Sequence, residues 1–169
     1  MKADDLEGVN IRRAEKADAG AIWSVLEPMI RAGETYPLAR DMSEAEALGF
    51  WLAAGHQVFV AEDEQGKILG TYFLRANQKG GGAHVANCGY VTATWAEGRG
   101  VARRMCAHSL EHAKACGFRA MQFNFVVSAN ERAVRLWESC GFRTVGRLPA
   151  VFQHPRLGFV DALVMYREL

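Results

Sequence analysis

Val91-Thr92-Ala93-Thr94-Trp95-Ala96-Glu97-Gly98-Arg99-Gly100-Val101-Ala102-Arg103-Arg104 is the stretch that decides how this chain is read. An apolar strand ends, two glycines turn the chain, and a helix opens with Arg103 and Arg104 in its first turn. The first N–H groups of a helix have no partner within it, and the helix dipole makes them a seat for an anion. Glycine permits the tight turn and the close approach of a ligand to the backbone. The segment predicts a phosphate cradle built from Gly98, Arg99, Gly100, Val101, Ala102 and Arg103. A plain strand–helix turn with solvated arginines would read the same over these residues alone.

Working outward, Val9–Ala14 reads as a first strand, and Asp18 as the cap of a helix towards Ile30, with Ile22, Leu26 and Ile30 at four-residue spacing. Pro28 is expected to kink that helix or end it early. Ser43 with Glu46 forms a capping-box pattern for a helix to about Ala54. Strands are expected over Gln57–Ala61, Ile68–Leu74 and His84–Thr94, with a glycine-rich loop at Gln78–Gly82. The helix after the cradle runs to Ala115. A strand of aromatic and β-branched residues follows over Phe118–Val127, then a helix over Asn130–Cys140. Both helices end in Cys-Gly-Phe, with Gly117 and Gly141 at the left-handed cap. Phe142–Arg147 and Gly158–Arg167 close the chain as strands around a loop holding His154 and Pro155. The order β-α-α-β-β-β-α-β-α-β-β predicts an α/β fold with helices packed on a mixed sheet.

Composition bounds the function. The 169 residues are read as a single domain, half of them apolar, with a formal net charge of +1. No basic excess argues for nucleic acid or an anionic membrane, and no apolar run approaches the length of a membrane span. The N-terminus shows no apolar leader, so a reduced, cytoplasmic setting is the expectation. Cys88, Cys106, Cys116 and Cys140 lack the close spacing of a metal site and read as small, largely buried residues. Arg104, His108 and His112 recur at i, i+4, i+8 and read as a solvated helix face, with Val101, Met105, Ala113 and Cys116 as the core stripe. No metal is expected.

The cradle itself separates the alternatives. A dinucleotide-binding unit requires a third glycine where Arg103 stands, and an acidic residue at the end of the next strand. A nucleoside-triphosphate loop requires Gly-Lys-Ser/Thr, which is absent. What remains is a short loop and helix N-terminus able to hold a pyrophosphate.

Glu97-Gly98-Arg99-Gly100-Val101-Ala102 resembles the pyrophosphate loop of the GNAT superfamily of N-acetyltransferases, Gln/Arg-x-x-Gly-x-Gly/Ala, with Glu97 departing from the usual Gln or Arg. Asn130-Glu131-Arg132-Ala133-Val134-Arg135-Leu136-Trp137-Glu138-Ser139-Cys140-Gly141-Phe142 resembles the same family's Asn-x-x-Ala-x-x-Leu-Tyr-x-x-x-Gly-Phe helix. The resemblance covers nearly the whole chain. It implies a mixed sheet splayed between strands 4 and 5, with acetyl-CoA in the gap. Thr92, Ala93 and Thr94 would line its pantetheine arm, and Glu97 and Asn130 would lie against it. Asn130 also suits the N-cap of its helix. A backbone N–H of Thr92–Thr94 is the expected oxyanion donor. Many relatives protonate the leaving thiolate with the tyrosine that is Trp137 here. Indole has no acidic proton to give, so the usual general acid is missing. No covalent intermediate is required, and Cys88 is not expected to act as a nucleophile.

Asn87 and Asn124 stand inside strands, where asparagine is uncommon and an unpartnered amide is costly. They read either as substrate-holding groups or as satisfied core amides. With Asn130 and the run Met121-Gln122-Phe123-Asn124-Phe125, they resemble the fungal N-acetyltransferases that detoxify L-azetidine-2-carboxylate and related proline analogues. That resemblance implies that Asn87 and Asn124 engage the substrate, and that Gly33-Glu34-Thr35-Tyr36-Pro37-Leu38 walls the acceptor pocket. Glu34, Tyr36 and His154 are candidate bases, and Phe50 or Trp51 could line the pocket. Three readings follow: acetylation of a small amino-acid-like amine, acetylation of a peptide or protein through a more open groove, or a non-catalytic coenzyme-A sensor. Phe152, His154, Tyr166 and the closing strands are the expected surface of a homodimer.

Overall fold

Among the described residues, seven strands and four α-helices form where the periodicities place them, in the expected order. The computed structural model describes residues 8–169. The reading of the N-terminus as lacking an apolar leader rests partly on residues outside that range. The strands are β1 (Asn10–Arg13), β2 (Gln57–Glu62), β3 (Ile68–Ala76), β4 (Val85–Thr92), β5 (Ala120–Val127), β6 (Arg143–His154) and β7 (Gly158–Glu168). The helices are α1 (Ala19–Ala32), α2 (Glu44–Trp51), α3 (Val101–Ala115) and α4 (Glu131–Ser139).

The strands form one mixed sheet in the order β1-β2-β3-β4-β5-β7-β6. Every neighbouring pair is antiparallel except β4–β5. Successive strand residues face opposite sides, and β3 shows which helices lie where. Thr71 accepts a hydrogen bond from the Trp51 indole on α2, while Tyr72 bonds to His108 on α3. So α1 and α2 cover one face and α3 the other. Trp137 packs on Tyr90, whose hydroxyl bonds to Ser109 of α3, so α4 shares the α3 face.

β4 and β5 pair only at Val85↔Ala120 and Ala86↔Met121 and then diverge. That divergence opens the middle of the sheet. On β5, Phe123 pairs with Met165 and Val126 with Leu163, so Asn124 and Phe125 both oppose a single residue of β7. This is a β-bulge, which bends the strand and redirects side chains.

Several expectations are corrected. α1 does not end early at Pro28 but continues to Ala32, where Gly33 takes φ 65° and its N–H bonds to the Met29 carbonyl. Burial of Val25, Leu26 and Ile30 against the sheet holds the turn around the proline. α2 ends at Trp51, short of Ala54. β6 continues past Pro149 to His154 through a bulge at Leu148–Phe152, with Ala150 at φ 50°. His154 therefore ends a strand, and the connection to β7 shrinks to a tight turn. The histidine face of α3 is only partly solvated: Arg104 is exposed, but His108 and His112 are half-buried, with His108 bonded to the Tyr72 hydroxyl at 2.7 Å and His112 to Gln57 at 2.8 Å. Cys116 is exposed, whereas Cys106 and Ser109 join Val101, Met105 and Ala113 in the buried stripe.

Candidate functional site

Hydrogen-bond alternation along β4 decides which backbone groups face the split. Asn77 N–H to Val85 O and Ala93 N–H to Leu69 O bracket an unbroken β3–β4 ladder. Odd-numbered residues of β4 therefore bond to β3, and Ala86, Cys88, Tyr90 and Thr92 turn their backbone groups towards β5. Ala86 still lies opposite Met121. Beyond it β5 has moved away, leaving the N–H groups of Cys88, Tyr90 and Thr92 aimed into the gap. Ala93, expected among the donors, is committed to Leu69 instead.

Asn87 sits at the fork. Its Nδ2 donates to the Gln122 carbonyl at 2.9 Å, one residue past the last β4–β5 pair. The side-chain amide replaces the first missing rung of the ladder and satisfies a carbonyl the divergence would orphan. Its Oδ1 faces Arg75 Nε at 3.5 Å. Asn124 is also held, donating to Asn77 Oδ1 at 2.6 Å and accepting from Gln122 Nε2 at 2.9 Å. The core-amide reading thus holds, and both asparagines also line the cavity.

The cavity runs through the split with a volume of about 580 Å³, in the range of small-molecule sites. On the α1 side its wall is Glu34–Leu38, Phe50, Phe73, Arg75 and Phe125. Towards α4 it meets Tyr90, Phe123, Asn130 and Trp137. Phe125 and Asn124 both reach the cavity because of the β5 bulge. Gly89 is required by close packing: a Cβ there would lie 2.5 Å from the Phe73 ring and 2.9 Å from the Tyr36 hydroxyl. Trp51 is fully buried behind Phe73 and does not line the cavity, whereas Phe50 does.

At the far end of β4, Gly98 and Gly100 take φ 78° and 76°, a region open to glycine at little cost. Space above Gly98 is open. The Arg104 N–H bonds to the Gly100 carbonyl, and no side chain caps α3. The N–H groups of Val101, Ala102 and Arg103 therefore emerge together from the helix end. Three convergent amides at a positive dipole end fit a diphosphate. The Arg103 guanidinium reaches Ser139 at 2.9 Å. Glu97 pairs with Arg132 on α4 at 3.4 Å, not with Arg99, which reduces its repulsion of an anion. Thr92, Thr94 and Glu97 line the cavity at this end.

The candidate bases fare differently. Tyr36 donates its hydroxyl to the Tyr90 carbonyl at 3.1 Å. Burial raises its pKa above the ordinary phenol range, so it is no base near neutrality. His154 is corrected outright: it is buried at the end of β6, away from the cavity lining. Its Nδ1 accepts from the Arg156 and Leu157 N–H groups at 3.2 and 3.3 Å, closing the β6–β7 turn. Glu34 lines the cavity with its carboxylate 2.8 Å from Arg156. Burial pushes the Cys88 thiol up to about 12, which suppresses the thiolate a nucleophile needs. Asn130 is the N-cap of α4, accepting from Ala133 N–H at 3.2 Å, and also faces the cavity. No cluster able to hold a metal ion occurs among the described residues.

Arg75 and Phe73 also line the cavity and Asn77 holds Asn124; none of the three is among the site residues expected from the sequence. Arg75 ends an otherwise buried β3, a break in hydropathy that signals a strand reaching a site. Its placement opposite Asn87 depends on register.

The acetyltransferase (GNAT) family model matches residues 23–142. A GCN5-related N-acetyltransferase from Kribbella flavida is 40% identical, with a TM-score of 0.92, over 96% of this chain and 99% of that one. N-acetyltransferase aca1 of Schizosaccharomyces pombe is 25% identical over 151 residues, covering 80% of this chain and 72% of the relative. A phosphinothricin acetyltransferase from Sinorhizobium meliloti, in complex with acetyl-CoA, shares the fold at 22% identity and a TM-score of 0.83, over 96% of this chain and 89% of that one.

Proposed function

The chain belongs to the acetyltransferase (GNAT) family, and from that premise we propose that it moves an acetyl group from acetyl-CoA directly to the nitrogen of a small amino-acid-like amine. The observation that carries the reading is the split of β4 from β5 beside a three-amide helix end. A thioester laid along the split supplies an activated acetyl group. Amides of Val101, Ala102 and Arg103 hold its diphosphate, and the N–H groups of Tyr90 and Thr92 align its arm. The Cys88 N–H, turned into the same gap, then meets the oxygen that gains charge as the amine attacks, in place of the Thr92–Thr94 donor expected from the resemblance. Alignment of this kind contributes up to about 7–11 kcal/mol in ideal cases.

The thiolate departs without a protein acid, since Trp137 stands where many relatives carry tyrosine. A thiol of ordinary acidity is a tolerable leaving group in water. The amine proton passes to solvent, with Asn87 Oδ1 placed to accept from the neutral nucleophile. A cyclic imino acid is the substrate we favour, because Phe50, Phe73 and Phe125 give an apolar wall beside the amides of Asn87 and Asn124.

A small acceptor is favoured over a peptide by how the mouth is held. Arg31 donates to the Arg40 and Met42 carbonyls at 2.6 and 2.8 Å, and Arg40 donates back to the Arg31 carbonyl at 2.8 Å. The Glu34–Arg156 ion pair ties the same segment to the β6–β7 turn. This strap narrows the groove a peptide would need. Thiol release from acetyl-CoA is the test, with L-azetidine-2-carboxylate, cis-4-hydroxyproline, phosphinothricin, polyamines and short peptides. Selective turnover of the cyclic imino acids supports the assignment. Turnover only of peptides refutes it, and tight acetyl-CoA binding with no transfer favours a sensor. A homodimer is part of the proposal. Its support is exposed Val145, Leu148, Val151, Leu157 and Phe159 on the β6–β7 hairpin, where Phe152 and His154 prove buried. A monomeric mass by light scattering would remove it.

A further inference from the structure

Three charged side chains line the cavity: Glu34, Arg75 and Glu97. Both carboxylates are already matched, Glu34 by Arg156 and Glu97 by Arg132. Arg75 has no carboxylate partner among the described residues. It projects from the end of β3 directly opposite Asn87, and its guanidinium lies 6.0 Å from the Phe73 ring centre. Among the described residues, its one hydrogen-bond contact is the 3.5 Å approach of Nε to Asn87 Oδ1. That contact engages one of five N–H donors. The remaining donors stay with solvent at the acceptor side of the cavity, at the opposite end of β4 from the diphosphate cradle.

From this we infer that Arg75 is a specificity-determining residue that binds the carboxylate of the acceptor, making the substrate an α-amino or α-imino acid rather than a simple amine. The inference rests on the small-amine reading above and deepens it. The chemistry is complementary on each count. A guanidinium offers paired N–H donors in the spacing of a carboxylate. Asn87 steadies Nε and leaves the outer nitrogens for the ligand. The fork at Asn87 lies one residue along β4 from the Cys88 N–H and three from that of Tyr90. An amine one carbon from the anchored carboxylate therefore projects into the split, where the acetyl carbonyl would lie. Polyamines present only positive charge to this guanidinium and are disfavoured by it.

The test is a cycle of ligand and side chain, comparing L-azetidine-2-carboxylate with its carboxamide in the wild type, Arg75→Gln and Arg75→Lys. The expected result is a wild-type preference for the carboxylate of about 10- to 100-fold in kcat/KM, the size of a charge-assisted hydrogen bond. Arg75→Gln should erase that preference, mainly through KM of the acceptor. Arg75→Lys should restore part of it, and KM for acetyl-CoA should stay unchanged in both variants. Arg75 is exposed, so unchanged thermal midpoints are expected to confirm that the variants fold. Equal use of carboxylate and carboxamide by the wild type overturns the inference while leaving the small-amine reading standing. So does an equal loss on both acceptors in Arg75→Gln. Turnover confined to polyamines or peptides overturns the parent reading and the anchor together.

Discussion

Replacing Asn87 by alanine separates the two tasks the structure gives that residue. The side chain is 7% exposed and donates to the Gln122 carbonyl at 2.9 Å, where the β4–β5 ladder stops. Alanine leaves this carbonyl unpaired at the fork and removes the acceptor facing Arg75. An orphaned buried polar group costs about 1–3 kcal/mol. In a chain of 169 residues each kcal/mol moves Tm by about 2–4 °C, so Tm should fall by about 2–12 °C. The chemical consequence is separate. Loss of Oδ1 leaves the Arg75 guanidinium unsteadied and removes the acceptor offered to the amine. At saturating acetyl-CoA, kcat should therefore fall by more than the change in acetyl-CoA affinity. Calorimetry gives the first number, and thiol-release kinetics with equilibrium binding of acetyl-CoA give the second. An unchanged Tm would refute the ladder-replacement argument. An unchanged kcat would remove Asn87 from the chemistry.

Four other outcomes are expected. Trp137→Phe should keep kcat within about tenfold, and a loss beyond about a hundredfold in a folded variant would make the indole an essential part of proton transfer. Gly89→Ala should destabilise by about 1–3 kcal/mol, because its Cβ would press on the buried Phe73 ring; a wild-type Tm would refute the packing argument. Cys140 is held below the ordinary thiol range, first by a hydrogen bond from the Cys106 thiol and then by Arg103, Ser139 and Arg167. Timed alkylation near neutral pH, read by mass spectrometry, should therefore label Cys140 well before Cys88, and the reverse order would refute the assignment. Asp18 is held below the usual carboxylate range by its hydrogen bond to Arg12. A depressed carboxylate stabilises the fold above about pH 4 and loses that contribution as pH falls. The Tm gap between wild type and Asp18→Asn should then narrow progressively as the pH falls below about 4, and a constant gap would contradict it.

The order of elements was legible in the sequence because it depends on local signals. The Ser43–Glu46 box, the glycines after Cys116 and Cys140, and the Asn130 cap fix ends within a few residues, and each works through bonds to near neighbours. The cradle was legible for the same reason: the donors and the glycines that expose them fall in one short run. Errors arose where distant packing overrode a local preference. Pro28 stays inside α1 because Val25, Leu26 and Ile30 are buried on the sheet, and β6 extends because β7 supplies a partner across its bulge. His154 looked like a loop base, yet the hairpin turn consumes its Nδ1.

The acceptor side was decided by tertiary structure. Asn87 and Asn124 are conspicuous in the sequence, but whether their amides were free or bonded depended on the strand fork and on Asn77. Arg75 acquires meaning only through the register that sets it opposite Asn87, and through the distant arginines that neutralise Glu34 and Glu97. By itself the sequence determined the order of elements and the glycine turn with its exposed helix end, since both depend on short contiguous runs. Which charge remains unmatched in the pocket is a sum over side chains from separate elements, and only the folded chain brings those elements together.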